Sequence, residues 1–156
     1  KAELCKSQTA IRMGLNNNPT DDQTENLRLL CERVLQPVRD HFNKVVSISS
    51  GFRDPVLSRK IGSSEKSQHC KGEAADLEIF GVANNELADW IKENLMFDQL
   101  ILEYYTPGEP NSGWVHVSYT KEINSNRKEY LMAIKNSSGK TEYKPILGLS
   151  TDRYVK

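Results

Sequence analysis

Residues 113–119 read Gly-Trp-Val-His-Val-Ser-Tyr, and no other run restricts the fold of this chain more tightly. Side chains of a β-strand alternate between two faces. Val115, Val117 and Tyr119 therefore share one face, while Trp114, His116 and Ser118 share the other. Such a strand belongs in a sheet with one face packed into a core and the other face polar. His116 falls on the polar phase. A histidine that merely filled the core would stand among the valines instead.

The remaining pattern supplies that sheet and its cover. Thr20 and Gln23 form a capping-box pair, and Asp21 and Asp22 suit the positive end of a helix. Leu27, Leu30, Cys31, Val34, Leu35, Val38 and Phe42 then recur at helical spacing, with Pro37 expected to kink or break the helix locally. A short β-type run follows at 45–50. A short helix spans 54–62, with a cap before it and Gly62 after it. Strands are expected at 74–80, 98–105, 113–119 and 129–135, and a turn and last edge strand at 136–144. One more helix, 84–95, carries Leu87, Trp90, Ile91 and Leu95 on a single face. Helices first, then clustered strands with one helix inserted, predict an α+β fold with a small antiparallel sheet.

Neither a repeat nor a low-complexity linker divides the 156 residues, so residues 1–156 read as one domain. The net charge is zero, with 21 basic and 21 acidic side chains, which argues against a nucleic-acid partner held by bulk electrostatics. No apolar run is long enough for a membrane span, and no secretory signal is visible. Three cysteines, an odd number without a CxxC pair, argue against a disulfide framework or a cysteine-rich zinc finger. Cys31 reads as a core residue of the long helix. Cys70 adjoins His69, but neighbouring residues of an extended loop point opposite ways, so it reads as a bystander.

The run Ser67–Phe80, SQHCKGEAADLEIF, holds His69 in a loop with Gly72 and places Asp76 at the start of a strand. With His116 these make two imidazoles and a carboxylate. That is the ligand set of a catalytic zinc: three protein ligands with a fourth position for water. The plainer readings are a surface or core histidine and an aspartate that caps a turn, and spacing alone does not decide between them. His41, near the end of the long helix, suits a helix C-terminus and stays outside the site.

SQHCKGEAAD fits the pattern SxHxxGxAxD, and WVHVS supplies the later histidine. Together they resemble the zinc D-alanyl-D-alanine carboxypeptidase family. That family includes D-Ala-D-Ala dipeptidases and phage endolysins that cut the L-alanyl-D-glutamate bond, and its zinc site is related to that of hedgehog signalling domains. SSGFRDPVLSRKIG resembles the family's upstream arginine turn, and ELCKSQTAIRMGLNNNPT the N-terminal region of its short phage members. The resemblance runs at least from Glu3 to Tyr119.

The resemblance implies a small antiparallel sheet with helices on one face and a zinc cleft on the other. It implies one Zn²⁺ per chain, bound by His69, Asp76 and His116. Arg53 would face a carboxylate or carbonyl oxygen of the substrate, and Ser67 would hydrogen-bond near it. Many members carry the catalytic glutamate three residues before the last histidine, but that position here is Gly113. Glu103, ending a strand, and Glu109, in a loop with Pro107, Gly108 and Pro110, are the candidates for the base, and the strand position favours Glu103. The implied substrate is the peptidoglycan stem peptide, cut by a monomer made in the cytoplasm, in a phage-infected cell for the phage type, and acting on the wall. The other reading is a non-catalytic zinc-stabilised binding or virion structural module. A base beside an open metal position, or a fourth protein ligand such as Cys70, separates the two.

Overall fold

The computed structural model describes residues 3–150, so the first two and last six positions of the expected 1–156 domain lie outside it. A short helix α1 (Gln8–Met13) is followed by α2 (Asp21–Leu30), a π-helical turn (Cys31–Leu35) and α3 (Gln36–Phe42). The capping box is present as expected. The Gln23 N–H donates to Thr20 Oγ1 at 3.2 Å, and the Thr20 N–H donates to Gln23 Oε1 at 2.8 Å. Pro37 does not end the helix. It has no N–H for the carbonyl four residues back, and its ring crowds that carbonyl. The preceding turn widens to an i→i−5 bond, Gln36 N–H to Cys31 O, and the helix runs on to Phe42.

Six strands form one sheet: β1 (Ser47–Ser50), β2 (Ala74–Glu78), β3 (Gln99–Glu103), β4 (Trp114–Ser118), β5 (Glu129–Lys135) and β6 (Thr141–Pro145), in the order β1-β2-β4-β3-β5-β6. The α+β class holds, and four of the five pairings are antiparallel. β3 and β5 are parallel, contrary to the purely antiparallel expectation. The cause is the path of the chain after β4. That strand ends beside the start of β3, where Asp98 N–H donates to Ser118 O at 2.8 Å. The chain then passes the same end of β3. Lys128 N–H donates to Phe97 O, Glu129 N–H donates to Asp98 O, and β5 enters in the direction of β3.

The sheet has two unlike faces. Ala75, Leu77, Leu100, Leu102, Val115 and Val117 point into the core, where Leu30, Val34 and Val38 of the long helix and Leu87, Ala88 and Ile91 of α5 (Asn84–Asn94) cover them. All are fully buried. Each Leu, Ile or Val so placed contributes about 1.5–3 kcal/mol by leaving water. The alternate phase, Asp76, Gln99, Ile101, Glu103, Trp114 and His116, lines a cleft on the other face. The helix α4 (Pro55–Lys60) is capped by Asp54, whose side chain accepts from Val56 N–H at 2.8 Å. No helix among the described residues is long and apolar enough to cross a membrane.

Candidate metal centre

His69 sits in a 3₁₀ turn, Gln68–Lys71, which Ser67 caps by accepting the His69 N–H at 3.2 Å. The turn is fixed from several sides. Gln23 Nε2 donates to Cys70 O at 3.1 Å, and Asn26 Nδ2 donates to Lys71 O at 2.8 Å, so the start of α2 grips the turn's carbonyls. Gln68 Nε2 donates to Asp98 Oδ2 at 2.8 Å. Gly72 ends the turn at φ +75°, where a Cβ would lie 2.4 Å from Gln23 O, so only glycine lets the turn sit against α2.

The arginine turn braces the same histidine. His69 Nδ1 lies 2.7 Å from Gly51 O, and Arg53 N–H donates to His69 O at 3.1 Å. The Gly51 carbonyl accepts the Nδ1–H and leaves Nε2 unprotonated and free to bind a metal, the usual way a backbone carbonyl selects a histidine tautomer. Asn17 steadies this turn. Its Nδ2 donates to Phe52 O at 3.1 Å, and its Oδ1 accepts from Asp54 N–H at 2.8 Å.

Asp76 and His116 are cross-strand partners in β2 and β4. Ligand atoms of His69, Asp76 and His116 all lie within 4.8 Å of one another. Asp76 Oδ1 is 3.4 Å from His69 Nε2 and 3.0 Å from His116 Nδ1. Zinc with ligands at about 2.0–2.1 Å in tetrahedral array needs ligand atoms about 3.3 Å apart. Both distances to Asp76 are close to that value, so the cluster could hold such an ion. Burial works to raise the Asp76 carboxyl, but hydrogen bonds from His116 and His69 outweigh it and hold it far below the usual carboxylate range.

No fourth His, Cys, Asp or Glu joins this cluster among the described residues. Cys70 is buried, with Sγ 3.8 Å from Ser64 O. His41 is remote from the cluster and stacks on Trp90 at 4.4 Å between centroids. The cleft, of about 480 Å³, is lined by Arg53, Ser67, Glu103 and Trp114 as well as His69, Asp76 and His116. Arg53 Nη2 donates to Ser50 Oγ at 3.1 Å. Glu103 pairs with Trp114 across β3 and β4, two positions along from His116 on the same face. Its carboxyl is raised by burial and by the charge of Asp76, with His116 opposing. Glu109 lies in the exposed turn after β3, where its N–H donates to Thr106 O at 2.9 Å and its carbonyl accepts from Ser112 Oγ at 2.7 Å; it does not line the cleft.

Gly113 stands where the resemblance would place a glutamate, and the geometry accounts for the glutamate's absence. Its φ is +64°, and a Cβ there would lie 1.8 Å from Glu103 O. The tight return from β3 to β4 excludes any side chain at this position. Besides Asp76, the carboxylate that lines the cleft among the described residues is Glu103 of β3. The sequence patterns did not show the braces around His69, namely Gln23, Asn26, Gln68 and Asp98, because each joins residues distant along the chain.

Two imidazoles and one carboxylate converging in an open polar cleft are a donor set that could hold one metal ion, as a metallohydrolase requires. The chain belongs to the Peptidase M15 family, whose profile matches residues 1–118 and so ends with the last residue of β4; the protein is a metallopeptidase. No curated protein matches the chain.

Proposed function

We propose that the chain is a zinc peptidase that hydrolyses a peptide bond of the peptidoglycan stem peptide, as a D-alanine carboxypeptidase or an endolysin-type endopeptidase. Zinc held by His69, Asp76 and His116 would polarise the scissile carbonyl and acidify the attacking water. The observation that carries this reading is Glu103, a carboxylate in the same cleft that is not one of the three converging ligands. It stands on a strand paired on both sides, which holds a base in place. Partial burial favours its protonated form, and that moves it toward the range where a general base works near neutral pH. In this role the Glu103 carboxylate accepts a proton from the attacking water and returns it to the nitrogen of the leaving amine.

Arg53 borders the cleft at the β1 side, with its backbone fixed to the His69 turn. Its guanidinium presents a planar fork of donors suited to a substrate carboxylate or carbonyl. The Ser67 oxygen already accepts one N–H as a cap, and its hydroxyl proton is left to donate to substrate. The test is mass spectrometry of purified peptidoglycan after digestion by zinc-loaded protein, with and without chelator. A stem-peptide fragment that appears only without chelator is the expected result, and its mass identifies the bond. An unchanged digest would reject the peptidase reading and favour a non-catalytic zinc module.

A further inference from the structure

The family match ends at Ser118, but the cleft does not. Tyr143 of β6 also lines it, from two strands beyond β3. The register shows how it arrives. Trp114 pairs with Glu103, Glu103 with Ala133, and Ala133 with Tyr143, so the four side chains form one row on one face of the sheet. Adjacent strands are about 4.8 Å apart, which separates the backbones of Glu103 and Tyr143 by roughly 10 Å. Ala133 between them ends at Cβ and is fully buried. A tyrosine ring can lie over it, and a longer side chain at 133 would occupy that space.

Tyr104 links Trp114, which lines the cleft, to β6. Its φ of +53° turns it out of strand geometry, and its ring lies 5.4 Å from that of Trp114. The Tyr104 hydroxyl is 2.6 Å from Thr141 Oγ1, which also accepts from Lys135 Nζ at 3.3 Å. These bonds fix β6 against the end of β3. The Tyr143 phenol is raised by partial burial and by the charge of Glu103, so at neutral pH it keeps its proton and is a hydrogen-bond donor. Arg53 beside β1 and Tyr143 on β6 thus bound the cleft at opposite ends of the strand order, with the ligands and Glu103 between them.

We propose that Tyr143 is a substrate-contacting residue of the cleft, holding the part of the peptide farthest from Arg53 with its ring and donating its hydroxyl to a substrate carbonyl. This rests on the peptidase reading given above. The test compares zinc-loaded wild type, Tyr143→Phe and Tyr143→Ala in three measurements. These are binding of a phosphinic pseudo-tetrapeptide with alanine side chains, binding of acetohydroxamate, and turnover of stem peptides. Tyr143→Ala is expected to weaken the pseudopeptide about fivefold or more, and Tyr143→Phe about twofold to fivefold, the scale of one hydrogen bond. Acetohydroxamate affinity, zinc per chain and Tm are expected to stay at wild-type values. Pseudopeptide affinity unchanged in Tyr143→Ala would overturn the proposal, and unchanged affinity in Tyr143→Phe would overturn the hydroxyl's part in it. A wild type that binds the pseudopeptide no better than acetohydroxamate would also overturn it. Wild type that binds the pseudopeptide but cleaves no stem peptide would instead sink the substrate assignment above, leaving the Tyr143 comparison readable.

Discussion

Gln68 and Asp98 are joined side chain to side chain, Nε2 to Oδ2 at 2.8 Å, although 30 positions separate them in sequence. The pair ties the turn that carries His69 to the start of the strand that carries Glu103. Asp98 is buried and makes further bonds. Its Oδ1 accepts from the Arg127 N–H at 3.1 Å and from Arg127 Nε at 2.9 Å, and its Oδ2 accepts from Arg127 Nη2 at 3.0 Å. One carboxylate thus holds three segments together.

Asp98→Asn should loosen this junction. Burial raises the Asp98 carboxyl, but the bonds from Arg127 and Gln68 outweigh it, so its pKa in the folded protein is lowered. The unfolded chain, with a pKa of about 3.9, then binds more protons than the folded one as the pH nears 4. The stabilisation is complete above about pH 5 and is lost as the pH falls through the folded value. Losing the charged bonds should cost about 1–3 kcal/mol at neutral pH. Thermal melts should show the gap between wild type and Asp98→Asn widest near pH 7 and narrowing as the pH falls below the ordinary carboxylate range. A constant gap would mean that the charge is not what stabilises the junction.

Metal analysis should find about one zinc per chain. His69→Ala should lose it, because one of three converging ligands is gone, and His41→Ala should keep it. Chelation should lower Tm, since an ion that binds only the folded chain stabilises by about 4 kcal/mol at a thousand times its Kd. Equal zinc content in wild type and His69→Ala would reject the site.

Glu103→Gln keeps the shape and hydrogen-bonding capacity of the side chain but cannot take a proton. Turnover should fall roughly a hundredfold or more, the scale of general-base catalysis, with zinc content unchanged. Glu109→Gln should turn over as wild type does. The reverse pattern would move the base to Glu109 and leave the metal centre intact.

Arg53→Lys preserves the charge and removes the planar fork. If the guanidinium holds substrate in a two-bond contact, kcat/KM should fall about tenfold or more while zinc binding is unaffected. Unchanged kinetics in Arg53→Ala would assign the residue a surface role only.

Much of this architecture is legible along the chain, and the parts that are not share a cause. Every strand was expected within a few residues of its position; the central ones alternate against one apolar face, and β6, which is mostly exposed, follows from the turn before it. The same alternation places Asp76, His116 and Glu103 together on the other face, as β2, β4 and β3 pair in register. The parallel β3–β5 pair leaves no mark on periodicity, since parallel and antiparallel strands alternate alike. Tyr143 was not singled out because its reach depends on the small residue one strand away, Ala133, and on a register that local sequence does not carry. Arg127 and Asp98 meet for the same kind of reason: a turn in the path of the chain brings them together, not a spacing.

The strand order also grades how easily the parts of the cleft open. β2, β4 and β3, which carry two ligands and Glu103, are each paired on both sides, whereas β6 is an edge strand with one partner. Local opening in proteins ranges from nearly free at edges and termini up to the full unfolding energy in central elements. Amide exchange should therefore be faster in the edge strands β1 and β6 than in β3 and β4. A molecule caught with β6 released would keep its metal ligands assembled and lose the wall at Tyr143, so occupancy of the metal and grip on a long substrate are separable properties of this fold.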